Sequence, residues 1–169
     1  MNHETHMRQA LALARQALDN DEFPVGCVVV HQDRVIAQGR RINTRLTIAS
    51  ELDHAEIVAL QHLQRSDASA DRGQMTIYAT MEPCLMCYSA ILLSRIGALV
   101  YAYEDAMGGG TRCDLSQLPE LYRESNISIV PGICRTESLA LFQAYFQRQH
   151  LDYWRDSLLA RYTLAQKLE

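Results

Sequence analysis

Residues 75–103 read MTIYATMEPCLMCYSAILLSRIGALVYAY. Met75 to Thr80 is an apolar run that suits a strand, Pro83 stands where a helix N-terminus tolerates proline, Leu85 to Leu93 reads as a helix and Ala98 to Tyr103 as the next strand. Downstream, Gly108 to Gly110 marks a loop, Leu115 to Tyr122 looks helical, and Ile127 to Val130 forms a final strand before Pro131-Gly132. The connection between these last strands exceeds a dozen residues and contains a helix, which predicts a parallel crossover rather than a hairpin. Upstream, Met7, Leu11, Ala14 and Leu18 recur at helical spacing until Asp19 to Glu22 breaks the pattern. Val25 to Val30 and Val35 to Ala37 flank the polar His31 to Arg34 as a hairpin would. Ile57, Leu60 and Leu63 mark a second helix that begins near His54 and ends before the polar run Ser66 to Gln74. Two helices, roughly 137–148 and 153–166, close the chain. Strands alternating with helices predict an α/β protein, a three-layer α/β/α sandwich around a five-stranded mixed sheet.

The chain has 169 residues, 48% of them hydrophobic and 21% charged, which fits one globular domain over 1–169 with 150–169 as a C-terminal helical extension. No linker or repeat divides it. A net charge of −4 offers no global basic field for nucleic acid, although Arg40, Arg41 and Arg45 lie close together in sequence. No stretch approaches the ~18 apolar residues of a membrane span, and residues 1–8 lack a signal-peptide core. Five cysteines at irregular spacing do not read as a disulfide framework. A soluble cytoplasmic protein without a membrane partner is the expectation.

His54, Cys84 and Cys87 fall at the starts of two predicted helices, each after irregular or extended chain. Cys84 and Cys87, three apart, present both sulfurs from one face, and the free amides of a first turn favour thiolate. Three protein ligands for one Zn²⁺ leave the fourth tetrahedral position to water or hydroxide, as in a catalytic site. Glu56, two residues after His54, is then placed as a base rather than a ligand, within reach of a water proton that it would deliver to a departing nitrogen.

His54-Ala55-Glu56 together with Pro83-Cys84-Leu85-Met86-Cys87 resembles the zinc signature of the cytidine and deoxycytidylate deaminase superfamily. Thr80 to Cys87 and Ser94-Arg95-Ile96-Gly97 are similar to the branch of bacterial tRNA adenosine deaminases and guanine deaminases, over about Phe23 to Val130. The resemblance implies a cytidine deaminase-like fold, a homodimer, and a zinc-dependent hydrolase that replaces the exocyclic amine of a cytosine-, guanine- or adenine-like ring with oxygen and releases ammonia. It also implies a pocket lined by Pro24, Val25, Gly26, Ala55 and Pro83, with Asn43, eleven residues before His54, touching the base. The sequence departs from the branch in two places. Ser50-Glu51-Leu52-Asp53 replaces an Asp-Pro-Thr-Ala run, and two extra residues separate Gly39 from Asn43. The tail around Trp154 loosely resembles the lids of free-base deaminases.

Other readings compete at several positions. A lone Cys-x-x-Cys also suits a redox pair. Cys27 reads as core, Cys113 and Cys134 as incidental, and His3, His6, His31, His62 and His150 as surface or core residues without ligand partners. Asn43 also suits a turn, Trp154 a core or dimer contact, and Glu104 and Asp105 either a pocket rim or solvated loop charges. Three functions follow. The first is a deaminase of a small nucleobase or nucleoside, which the acidity and the departures before His54 favour. The second is a tRNA adenosine deaminase making inosine in the anticodon loop, not favoured by charge. The third is a non-catalytic, zinc-stabilised binding protein of the same fold.

Overall fold

The computed structural model describes residues 2–66 and 70–168, so part of the Ser66 to Gln74 run lies outside the described residues. The elements are α1 (His3–Asp19), β1 (Gly26–His31), β2 (Arg34–Arg40), α2 (Ala55–Arg65), β3 (Thr76–Met81), α3 (Leu85–Leu93), β4 (Ala98–Tyr103), α4 (Glu120–Arg123), β5 (Ser128–Val130), α5 (Arg135–Phe146) and α6 (Leu158–Ala165). They build one five-stranded sheet in the order β2-β1-β3-β4-β5. β1 runs antiparallel to β2 and β3, while β3, β4 and β5 are mutually parallel, so the sheet is mixed and the expected crossover is present. α1 and α5 pack together on one side of the sheet and α2 and α3 on the other, giving the three layers.

The central strand β3 is buried at every position because helices cover both its faces, which explains its unbroken apolar character. The β1–β2 turn places Gln32 and Asp33 at φ 50° and 58°, the left-handed pair that matches the twist of a tight hairpin. β2 continues to Arg40, well beyond the short apolar run that marks it in sequence. On β2, Gly39 lets α2 approach closely, since a Cβ there would lie 2.3 Å from the Ala55 carbonyl oxygen. This contact seats the start of α2, and with it His54 and Glu56, against the sheet.

Two elements differ from the sequence reading. The helix expected over Leu115 to Tyr122 is a 3-10 turn, Leu115–Gln117, and the separate four-residue α4, because Leu118-Pro119 interrupts it. The last helix begins at Leu158 instead of near Tyr153. Ser157 caps it, accepting from the Ala160 amide at 3.1 Å, and the preceding segment turns through Trp154 at φ 58°. Among the described residues no helix is long and apolar enough to cross a membrane.

Candidate metal centre and ring pocket

His54 is the N-cap of α2 and Cys84 the N-cap of α3, both in extended backbone and neither spending its side chain on a capping bond. Their side chains are therefore free to converge, and Cys87 joins them from the first turn of α3. His54 Nδ1 lies 3.6 Å from Cys84 Sγ and 3.4 Å from Cys87 Sγ. A tetrahedral zinc with usual Zn–S and Zn–N bonds holds such atoms about 3.6 Å apart, so the donor set fits zinc in kind and spacing. Among the described residues this is the one His/Cys/Asp/Glu group with such convergence. The hydrogen bond from Cys87 and the neighbouring His54 hold the Cys84 thiol down at about 4, while the same pairing pushes Cys87 up. A divalent cation held there would supply the charge that makes both thiolates.

A cavity of about 440 Å³ opens beside these ligands. Glu56 stands in its wall, 3% exposed, with burial pushing its carboxyl above the usual range against the opposing pull of His54. Val25, Ala55, Asp105 and Trp154 also line it, as does Phe23. Asp105 is anchored by amides of Met107 and Gly108 at 2.9 and 2.8 Å, and burial raises its carboxyl.

Other candidates stand elsewhere. Asn43 does not line this cavity. Its Nδ2 donates to Asp53 Oδ2 at 2.7 Å, and its backbone is left-handed at φ 63°. Pro24, Gly26 and Pro83 are also absent from the lining. Gly26 serves packing against α1, since a Cβ there would fall 2.1 Å from the Ala10 carbonyl oxygen. The Pro83 carbonyl accepts from the Gly110 amide at 2.8 Å, closing the loop over the start of α3. Glu104 belongs to a clamp on the tail. Both its carboxylate oxygens accept from Arg135, Nε at 2.8 Å, and Oε1 also accepts from the Tyr162 hydroxyl at 2.7 Å.

The sequence reading missed Arg41, Glu51 and Tyr153, all of which line the cavity. Arg41 is 2% exposed, and its amide donates to the Val25 carbonyl at 2.9 Å just past β2. Its Nη2 donates to the Tyr153 hydroxyl at 2.9 Å, and that hydroxyl donates to Glu51 Oε2 at 2.9 Å. The signal was the pair of extra residues after Gly39, which carries Asn43 past the strand end and leaves Arg41 there. The arginine cluster suggested by sequence does not form a patch. Arg41 is buried, and Arg45 faces Asp21 at 3.9 Å. Cys27 is fully buried, as a core residue should be.

Residues 1–103 match the family profile of the cytidine and deoxycytidylate deaminase zinc-binding region. A tRNA-specific adenosine deaminase of Rickettsia typhi is 32% identical over 151 residues, 84% of this chain and 96% of that protein. The tRNA-specific adenosine deaminase subunit tad2 of Schizosaccharomyces pombe is 30% identical, but the chain spans only 38% of its length. Among solved structures, one from a study of A-to-I editing by tRNA:A34 deaminases is 30% identical with a TM-score of 0.68, covering 81% of this chain and 98% of that one. A substituted form of the protein NE0047 in complex with 8-azaguanine is 28% identical with a TM-score of 0.65, covering 85% and 84%.

Proposed function

The chain belongs to the cytidine and deoxycytidylate deaminase family, whose chemistry is zinc-dependent hydrolytic deamination, and from that premise we propose that it acts on a small nucleobase or nucleoside. The observation that carries the choice is the roof of the cavity. Tyr153, Trp154 and Leu159 from the chain's own tail stand in its wall, and the Tyr153 hydroxyl bridges Arg41 and Glu51. A ring enclosed by the tail is held as a free compound is held. The exposed Glu51 and the half-buried Asp105 add negative charge to the wall, unfavourable to a phosphate backbone.

His54, Cys84 and Cys87 would hold the zinc, which supplies a Lewis acid and lowers the pKa of water toward about 7. Glu56, two residues from one ligand and shielded from bulk solvent, accepts the proton of the attacking water. It passes that proton to the ring nitrogen, then takes the remaining water proton from the hydroxyl now on the ring carbon and gives it to the departing amine. The ring carbon gains oxygen, its C–N bond breaks, and ammonia leaves. Phe23 and Val25 give the ring an apolar wall, and Asp105 stands in the same lining.

A second reading, tRNA adenosine deamination, is supported by the relatives at 30% and 32% identity, and this kinship weighs against the charge argument that disfavoured RNA. We assign one domain, placed in the cytoplasm, where five free cysteines stay reduced. The assembly is a homodimer, for which the exposed Leu85 and Leu93 of α3 offer a surface. Ammonia release by the zinc-loaded chain from free bases, nucleosides and an adenosine-bearing anticodon stem-loop tests the choice, with Glu56→Gln as blank. Turnover of free compounds is expected. Turnover of the stem-loop alone overturns the small-molecule reading.

A further inference from the structure

Arg41 carries an unused hydrogen-bond donor. Its side chain is 2% exposed and stands in the cavity wall, yet Nη1 is buried with no hydrogen-bond partner. Nη2 is the atom that serves the tail, donating to Tyr153 at 2.9 Å and facing Glu51 at 3.7 Å. A purely structural arginine clamping the tail would spend both arms of its fork on the protein. One arm is spent, and the other has no partner in the protein although its residue stands in the cavity wall that also holds His54 and Glu56. Leaving a buried guanidinium N–H unpaired is costly, so such a group marks where a partner oxygen arrives.

Resting on the small-molecule reading above, we propose that Arg41 is a specificity-determining residue whose Nη1 donates to an exocyclic ring oxygen, making the substrate an amino-oxo heterocycle of the cytosine or guanine kind. A guanidinium has only donors, so it pairs with an oxo group and is repelled by an amino group at the same place. The acceptor is a neutral carbonyl rather than a phosphate. Arg41 is the one arginine or lysine among the residues lining the cavity, and Glu51, Glu56, Glu82 and Asp105 line it too, so a dianion would meet net negative charge. Adenine-type rings, which carry an amine and no oxo group, leave Nη1 unpaired and are rejected.

Two matched pairs test this, each swapping one oxo for one amino group. The pairs are guanine against 2,6-diaminopurine, and cytosine against 2,4-diaminopyrimidine. Ammonia release gives kcat and KM on zinc-loaded protein, and calorimetric titration of Glu56→Ala gives binding without turnover. For at least one pair, the oxo member is expected to have a kcat/KM about 30-fold or more above its partner. Arg41→Met should bring that ratio near one, chiefly through KM, and Arg41→Lys should restore part of it. If Arg41→Met does not fold, the wild-type ratio and the Lys variant decide. Equal handling of both members, or a ratio unchanged in Arg41→Met, overturns the role of Arg41 while small-molecule deamination stands. Failure of all four rings and of their nucleosides to bind or react, or turnover of the anticodon stem-loop alone, overturns both.

Discussion

The Nδ1 of His54 and the sulfur of Cys87 lie 3.4 Å apart although 33 residues separate them in sequence. The contact joins the start of α2 to the first turn of α3, so a metal there staples two strand-helix units. His54→Ala or Cys87→Ala is expected to lower zinc from one per chain to a small fraction, read by elemental analysis, and to abolish ammonia release. Chelation of the wild-type protein should lower its melting temperature, and zinc should restore it. A variant that keeps full zinc and activity would remove these residues from the ligand set.

Glu56→Gln preserves shape and removes the proton acceptor. With zinc content unchanged, kcat should fall by about 10²- to 10⁴-fold with a smaller change in KM. Full turnover by this variant would refute the proton shuttle.

Trp154 holds φ 58° while 42% exposed, a backbone state that favours glycine, and its side chain lines the cavity. Strain retained by a bulky residue at a pocket is consistent with use by a ligand. Trp154→Gly should leave the melting temperature unchanged or raised, and increase KM several-fold. Unchanged KM would make Trp154 mere packing.

Glu22 organises the segment that carries Arg41. Its carboxylate accepts from the Asn43 amide at 3.2 Å, the Thr44 amide at 2.7 Å and the Thr44 hydroxyl. Glu22→Ala strands these donors and should cost about 1–3 kcal/mol in denaturant unfolding. A loss within error would mean that water replaces the carboxylate freely.

Burial alone would raise the Glu104 carboxyl, but hydrogen bonds from Arg135 and Tyr162 outweigh it and the net shift is downward from 4.5. A depressed folded-state pKa stabilises the protein above the unfolded value, and that contribution disappears as pH falls through the folded value. Wild-type melting temperature should therefore exceed that of Glu104→Gln near neutrality, and the gap should close below about pH 4.5. A gap that persists into acid would exclude this ion pair as its source.

The convergence of His54, Cys84 and Cys87 into a candidate zinc site was legible because their chemistry is written locally, in short spacings at helix starts. The parallel crossover between the last two strands was legible, because a long connection that contains a helix forbids a hairpin. Arg41 was not, because its place in the wall depends on where β2 ends against β1, an end fixed by the bond from its own amide to the Val25 carbonyl and by no local motif. Tyr153 was hidden for another reason. Its partners Arg41 and Glu51 are more than a hundred residues away in sequence, and no local periodicity encodes such a contact.

The roof formed by Tyr153, Trp154 and Leu159 gives the molecule an order of assembly during synthesis. Translation delivers His54, Cys84 and Cys87 before any of these three residues exists, so the wall that the tail contributes is the last part of the site to be made.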